Sequence, residues 1–550
     1  GSKDRGTTWE IISPDLTTNN PEYQKEETGG LTLDITGAEN HTTILAIAPS
    51  ALNRNVIWVG TDDGNVQLTQ DGGKTWTNFR GKITGMNTGA WITQVHASRY
   101  NEGEAFVVSN DYRRGDFSIT IFRTKDFGKT WENILANKGL KGYALCMIQD
   151  PAEPNLIFVG TEHGLWVSFD NAKNFQQWKN GYPSVSTYDM AIQEREADLV
   201  IATFGRALWV LDDIRPLRAV AKANGASQAN KVKVFEAPTA YQANYRNAPG
   251  YEWSTWGLYE GENRRRGAMV SFFVNNASSA VASAEAGKDT SKAKTPSAAE
   301  AMAGKDSAMV KIFDEAGKQI RSFKVKADSG FNRMYWNFDT KGSRFPGSPK
   351  PRPNAPEQGG GWPAFAGTYK FVVTMGKSSD STMVVVKDDP RAPTPKEVYD
   401  AKKKMADRFQ ATADKLTAAV DKITDAEETL TKMDAQLRNV EGKEADSLRN
   451  EAKKIRDEIK KIRESIFGRS AENRQGITRF ADITTQSILF AVRNEIGSKL
   501  AAPTAQTERL MGEAEAAVNE SVNRINEFMS TKWAAYRKLV ESMPVKLFKD

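Results

Sequence analysis

Thr69-Gln-Asp71-Gly-Gly73-Lys-Thr-Trp76 returns as Thr124-Lys-Asp126-Phe-Gly128-Lys-Thr-Trp131. Two more copies flank the pair: Ser2-Lys-Asp4-Arg-Gly6-Thr-Thr-Trp9, and a worn Ser168-Phe-Asp170-Asn-Ala172-Lys-Asn-Phe175. This composition suits a tight hairpin. Glycine supplies positive φ, the aspartate carboxylate bonds turn amides, and the aromatic packs onto neighbouring sheet. The aspartates lie 67, 55 and 44 positions apart (71−4, 126−71, 170−126). That period suits four-stranded blades with variable loops. Asp4, Asp71, Asp126 and Asp170 are therefore assigned structural roles.

Between the turns the apolar runs keep one order. An inner run (Thr43–Ala48, Trp91–His96, Tyr143–Ile148, Tyr188–Gln193) precedes a second (Val56–Thr61, Ala105–Ser109, Leu156–Thr161, Leu199–Thr203). A third run follows (Val66–Thr69, Ile119–Phe122, Leu165–Ser168, Ala207–Leu211), then the turn and a fourth run from Trp76, Trp131 or Phe175. Short runs of β-branched and aromatic residues bounded by Gly, Asn and Asp are strands. The last set ends at Gly205-Arg-Ala-Leu-Trp-Val-Leu-Asp-Asp213 with no turn motif behind it. Residues 1–213 are thus expected to be the C-terminal blades of a propeller whose other blades lie upstream. About four sheets would form an open arc, touching those blades or another chain along exposed edges.

Residues 214–230 are expected to be a linker and 231–390 a β-sandwich. Its strands are Val232–Phe235, Ala268–Val274, Met309–Phe313, Gln319–Val325, Phe331–Phe338, Thr368–Thr374 and Met383–Val386. Seven short strands with turn signals fit an immunoglobulin- or fibronectin-III-like domain. The stretch 277–306, rich in Ala, Ser and Lys without an aromatic, is expected to be a disordered insertion. From 391 to 550 the period turns helical: Met405, Phe409, Leu416, Val420, Ile423 and Leu430, then Leu448, Ile455, Ile459, Ile462 and Ile466. A third helix is expected over Ile483–Ile496 and a fourth from Thr504, which makes an up-down bundle. The fold class is multidomain: all-β propeller blades, a β-sandwich and an all-α bundle.

Composition narrows the chemistry. Lys and Arg number 75 against 69 Asp and Glu, a net charge of +6 spread over a mixed surface. No basic stripe interleaves with aromatics, so nucleic acid is not an expected partner. One cysteine, Cys146, and three separated histidines (His41, His96, His163) offer no disulfide framework or histidine-built metal centre. No apolar run is long enough to span a bilayer. No cofactor is expected, because phosphate-loop, zincin, nucleophile-elbow and dinucleotide motifs are missing.

The four turns resemble the Asp-box, S/T-x-D-x-G-x-x-W/F, of BNR-repeat β-propellers. Further segments extend the resemblance: Ile57-Trp-Val-Gly-Thr-Asp-Asp-Gly64, Gly160-Thr-Glu-His-Gly-Leu-Trp-Val-Ser168, Asn332-Arg-Met-Tyr-Trp336 and Ala502-Pro-Thr-Ala-Gln506. Together they are similar to large bacterial BNR/sortilin-type propeller proteins, often labelled glycosyl hydrolases. The resemblance implies an extracellular or periplasmic protein. It departs in lacking the cysteine-rich module of sortilin receptors. A segment usually reading Asn-Pro-Pro-x-Gly-Ala is here Asn263-Arg-Arg-Arg-Gly267-Ala268.

In a four-stranded blade the second-to-third-strand turn opens opposite the Asp-boxes, beside the crossover. That face collects the catalytic candidates Asp62, Asp63, Asp111 and Glu162, with Asp116 nearby. It also holds the ligand-binding candidates Trp91, Tyr143, Tyr188, Arg113, His163 and Arg206. Each has a structural alternative: Asp62-Asp63-Gly64 is a turn sequence, His163 a turn residue, and the aromatics channel seals. The function expected is a binding scaffold for a protein or glycan. The alternative is a glycoside hydrolase with two carboxylates at the required separation.

Overall fold

The computed structural model describes all residues except 26–40, 224–230, 244–264, 276–306, 343, 352–359, 439, 469–482, 499–500 and 543–550. The expected insertion 277–306 and part of the Asn263–Arg266 basic spot lie outside the described residues. The chain divides into two compact units. One is Gly1–Pro238 with Val270–Lys294 and Asp328–Arg333; the other is Thr239–Met269 with Thr295–Ala327 and Met334–Asp550.

The first unit is built of successive antiparallel meanders. Ile44–Pro49 (β1), Ile57–Thr61 (β2), Val66–Thr69 (β3) and Thr77–Asn78 (β4) form the first sheet. Trp91–Ala97 (β5), Ala105–Asp111 (β6), Asp116–Thr124 (β7) and Glu132–Asn133 (β8) form the second. The third holds Ala144–Gln149 (β9), Ile157–Thr161 (β10), Gly164–Ser168 (β11) and Gln176–Trp178 (β12). The fourth has three strands: Thr187–Gln193 (β13), Asp198–Thr203 (β14) and Leu208–Leu211 (β15). The first strands of successive sheets adjoin, β1 with β5, β5 with β9 and β9 with β13, as in propeller blades.

Two glycines permit that approach. A Cβ on Gly60 would stand 2.5 Å from Ile92 Cγ2, and one on Gly160 would stand 2.6 Å from the Thr187 carbonyl oxygen. Apolar faces of adjacent sheets fuse into shared cores. Trp58, Leu68, Phe79, Ile92 and Phe122 make one, and Phe106, Ile121, Met147, Ile157 and Val159 another.

The expected linker 214–230 contains a helix, Arg215–Lys222 (α1). Leu217 and Ala221 join Ile214 in the core of the last two sheets. Arg218 Nε donates to both oxygens of buried Asp150 at 3.0 Å. Burial of that pair and of the apolar helix face makes α1 part of the fourth blade's packing.

Eight strands follow among the described residues. They are Val232–Val234 (β16), Ala240–Tyr241 (β17), Ala268–Val274 (β18), Ser307–Phe313 (β19), Gln319–Lys326 (β20), Gly330–Trp336 (β21), Gly367–Met375 (β22) and Ser378–Lys387 (β23). They form a three-stranded sheet, β16-β18-β21, and a five-stranded one, β17-β23-β22-β19-β20. The short β17 pairs parallel with β23, an element absent from the sequence-based expectation. In the second unit Trp336 meets Phe338, Tyr369 and Phe371 edge-on.

The same unit carries helices Lys396–Leu437 (α2), Lys443–Phe467 (α3), Thr485–Ser498 (α4), Ala505–Phe528 (α5) and Ala534–Ser542 (α6). Their inward stripes meet in one core of Phe409, Leu416, Ile423, Ile459, Leu489, Val492, Val518 and Ile525. Thr504 and Thr507 cap α5 reciprocally. Ile483, expected to open the third helix, lies exposed outside it. A π-helical turn, Met529–Trp533, separates α5 from α6, which the period alone does not signal. No described helix is long and apolar enough to cross a membrane.

Candidate ligand-binding face

The four repeat turns share one bonding pattern. Each aspartate accepts the amide N–H four residues on and a side-chain donor of that same residue. Asp71 takes Thr75 N at 2.9 Å and Thr75 Oγ1 at 2.7 Å; Asp126 takes Thr130 N at 2.9 Å and Thr130 Oγ1 at 2.6 Å. Asp4 bonds Thr8 and Asp170 bonds Asn174 in the same way. Hydrogen bonds from Thr8, Thr75 and Thr130 hold the carboxyls of Asp4, Asp71 and Asp126 down at about 2. At Asp170 burial opposes the same bonds, which still win. Anions bonded this fully are turn fasteners.

The meander order puts the β2–β3, β6–β7, β10–β11 and β14–β15 turns at the opposite end, with the crossovers between blades. Contacts agree: a Cβ on Gly64 would meet the Gly89 backbone at 2.6 Å, and one on Gly142 would meet Glu162 Cβ at 2.9 Å. At this end Asp62 and Asp63 are buried, 4% and 1% exposed. Asp62 Oδ1 accepts Thr43 N at 2.7 Å. Asp63 accepts Thr18 N at 2.6 Å and Thr18 Oγ1 at 2.7 Å, and Arg80 donates to its carbonyl. Burial pushes the Asp63 carboxyl up, but the Thr61 and Thr18 bonds bring it below its ordinary value. Both aspartates fasten the chain entering the first blade and face no open cleft.

Asp111 and Asp116 do come together. Asn87 Nδ2 donates to Asp111 Oδ2 at 3.1 Å and to Asp116 Oδ2 at 2.6 Å. The two oxygens therefore lie within about 6 Å of each other, near the separation of paired glycosidase carboxylates. Arg114 clamps Asp111 through Nε at 2.6 Å and Nη2 at 2.8 Å. Hydrogen bonds from Ser118 lower the Asp116 carboxyl, despite slight burial.

The β6–β7 turn also builds a stack. Tyr112–Arg114 form a single 3-10 turn closed by Gly115 at φ 84°. This turn lays the Arg113 guanidinium 3.4 Å from the Trp91 ring centroid and 4.5 Å from that of Tyr112. Tyr112 stacks on Tyr143 at 4.4 Å and 16°, and Phe117 tilts against Tyr143 at 6.4 Å. Burial, then the nearby Glu162 carboxylate, raise the Tyr143 hydroxyl. Next along the face, Tyr188 and Phe204 lie 5.8 Å apart and are exposed.

Among the sequence candidates, Trp91, Arg113 and Tyr143 thus join one stack. Tyr188 pairs with Phe204, and Glu162 sits 3.7 Å from His163 Nε2. Arg206 is exposed, and its carbonyl accepts Trp209 Nε1 at 2.9 Å. Sequence places Tyr112 and Phe204 on this face, in the turns that carry Arg113 and Arg206, but signals nothing for Phe117 and Asn87. The signal for Tyr112 was its place beside Arg113. The 3-10 geometry that threads the arginine between two rings leaves no trace in residue spacing. Among the described residues no group of three or more His, Cys, Asp or Glu could hold a metal ion.

No protein-family model matches the chain. Over 107 residues it is 31% identical to the oligoxyloglucan-reducing end-specific xyloglucanase of Emericella nidulans, covering 19% of this chain and 13% of that protein. The chain thus matches a small fraction of that relative's length. Among solved structures, YCF48 from Cyanidioschyzon merolae aligns at 18% identity and a TM-score of 0.23, over 30% of this chain and 52% of that one. The GH74 enzyme of Niastella koreensis aligns at 18% identity and a TM-score of 0.23, over 43% and 29%. The blade architecture described above stands on the sheets and their contacts.

Proposed function

We propose that this chain is a propeller-type binding scaffold of the BNR/sortilin kind, working outside the cytoplasm. Its ligand, a protein or glycan, docks on the face opposite the Asp-boxes. An immunoglobulin-like sandwich and a helical bundle complete the scaffold. One observation carries the reading: the stack Trp91–Arg113–Tyr112–Tyr143 is partly exposed at the crossover end, while Asp62 and Asp63 are buried in turn bonding. Rigid sheets presenting aromatic and cationic loop residues are a usual basis of recognition.

A second reading, glycoside hydrolysis, is favoured by the closeness of Asp111 and Asp116 around Asn87. The local similarity to a xyloglucanase points the same way. It ranks below binding because hydrolysis needs one carboxyl that stays protonated, whereas Ser118 lowers the Asp116 carboxyl and Arg114 clamps Asp111 through two donors.

A glycan array and a peptide-display screen on the full chain, followed by Trp91→Ala and Tyr188→Ala, test the proposal. Each truncation should weaken binding by roughly 1–3 kcal/mol if its ring is buried in the interface. Wild-type affinity in both variants, with loss on changing Lys74 or Lys129 beside the repeat turns, would move the ligand to the other face. Release of reducing ends from xyloglucan oligosaccharides that disappears in Asp116→Asn would replace binding with catalysis.

A further inference from the structure

The stack at the crossover end joins three rings and a guanidinium. Both faces of Tyr112 are covered, one by Arg113 at 4.5 Å and the other by Tyr143 at 4.4 Å. Trp91 gives one face to Arg113, and Tyr143 gives one to Tyr112. A pyranose ring stacks on an open aromatic face, and these contacts take up ring face on Trp91, Tyr112 and Tyr143. The polar groups of the stack are the guanidinium N–H groups and the two phenol hydroxyls.

Arg113 is exposed and makes no hydrogen bond or ion pair among the described residues. It differs in this from its neighbours. Arg80 bonds the Asp63 carbonyl, Arg99 pairs Glu194, Arg114 pairs Asp111 and Arg123 pairs Glu104. Contact with two rings holds the Arg113 guanidinium in place before any ligand arrives. Its N–H groups stay free, in the fork that fits a carboxylate bidentately. The hydroxyls of Tyr112 and Tyr143 likewise have no hydrogen bond among the described residues and are available as donors beside it.

Resting on the assignment of this face as the ligand side, we propose that Arg113 receives a carboxylate of an acidic peptide, with Tyr112 and Tyr143 hydroxyls completing the site. The open surface nearby is apolar. Phe117 and Phe204, 61% and 72% exposed, suit aromatic or aliphatic residues of the same peptide. An acidic sugar as the source of the carboxylate is the competing outcome of the test below. A carboxylate ligand pairs only when ionised, so binding should fall with acid as the ligand's own carboxylates protonate.

The test measures binding of a fluorescent poly(Glu,Tyr) copolymer to the full chain by anisotropy. Poly(Lys,Tyr) and polygalacturonate are the comparison ligands. Poly(Glu,Tyr) should bind, and Arg113→Gln and Arg113→Lys should each weaken it by about tenfold or more, since lysine keeps the charge and loses the planar fork. Arg54→Gln, which removes an exposed arginine from the β1–β2 turn at the Asp-box end, should leave binding unchanged. Tyr143→Phe should cost less than either Arg113 change. Equal losses in Arg54→Gln and Arg113→Gln would reduce the effect to net charge and overturn the proposal. So would absent binding of poly(Glu,Tyr), or Arg113-dependent binding of polygalacturonate alone. A ligand from the screens lost in Tyr188→Ala but kept in Arg113→Gln would refute the carboxylate site and leave the face assignment standing. Loss in neither variant would refute both.

Discussion

Gly160→Ala tests how the blades are held together. Gly160 lies within β10, opposite Cys146 on β9 and Leu165 on β11. An added methyl would stand 2.5 Å from Cys146 Sγ, 2.6 Å from the Thr187 carbonyl oxygen and 2.8 Å from Thr187 Cγ2. The sulfur and the methyl belong to side chains. The carbonyl belongs to the first strand of the next blade, at a fully buried residue, so relief requires β13 to move. Overpacking of a dense core costs about 1–3 kcal/mol, and a backbone clash on this scale belongs at the upper end. For a unit of this size each kcal/mol lowers the melting point by about 2–4 °C, so a fall of roughly 6–12 °C is expected.

Thermal unfolding followed by tryptophan fluorescence is a suitable assay, because Trp58, Trp91, Trp131, Trp166 and Trp209 all sit in the blades. Gly181→Ala is the comparison. Gly181 has φ +68° and no atom within 4 Å of a built Cβ, so only backbone strain of about 1 kcal/mol is added. Cys146→Ala placed in the Gly160→Ala chain should recover part of the loss and not all of it, since the carbonyl clash stays. A Gly160→Ala chain that melts with the parent, or above Gly181→Ala, would refute the claim that these glycines set the blade spacing.

Three other expectations follow from the electrostatics. Crowding by protein around the His96 ring, and then the Arg99 charge, press its pKa from 6.5 to about 4; the unfolded chain therefore binds more protons between those values, and stability should fall as pH drops through that window. His96→Gln should flatten the melting point between pH 7 and 4, and an unchanged slope would exclude His96 as the cause. The carboxyls of Asp71 and Asp126, held at about 2 against an ordinary 3.8, add stability that is complete above the higher value and lost as pH falls toward the lower. Melts from pH 5 to 2 should lose less in the double variant Asp71→Asn, Asp126→Asn than in the parent; parallel curves would contradict this. Glu104→Gln leaves Arg123, with both side chains 6% exposed and bonded at 2.5 Å, only a 4.0 Å approach to exposed Glu132, and should cost about 3 kcal/mol by chemical denaturation, whereas a cost near zero would mean that water or Glu132 compensates the charge.

Much of the blade order was legible along the chain because it depends on local chemistry. A turn needing positive φ and an aspartate acceptor must recur wherever the same hairpin recurs, so four copies announced the blades. Apolar runs between them had to be strands once the turns were placed. The helical stripes from Met405 to Ile525 were legible for the same reason, since a buried helix face repeats every three or four residues. Legibility ended where partners are distant in sequence. The linker expectation at 214–230 missed α1, whose burial depends on Asp150, 68 positions before Arg218. The pairing of β17 with β23 joins Ala240 to Val386, which no spacing rule reaches.

The candidate site divides along the same line. Asp62-Asp63-Gly64 already carried a turn alternative by composition, and Thr43 and Thr18 supplied the bonds that committed the two aspartates to it. Asp111 and Asp116 bracket a turn evident from Gly115, yet only the fold brought Asn87 across to bridge them. Trp91 and Tyr143 stood out as aromatic residues opening inner strands. That Arg113 meets both Trp91 and Tyr112, while Tyr112 stacks on Tyr143, was decided by the 3-10 turn and by the neighbouring blade that supplies Tyr143. By itself the sequence determined which residues make turns, strands and helices, because hydrogen bonding and periodicity act within a few residues. Tertiary structure alone decided which polar groups are satisfied and which remain free for a ligand, because that depends on partners brought together by blade packing.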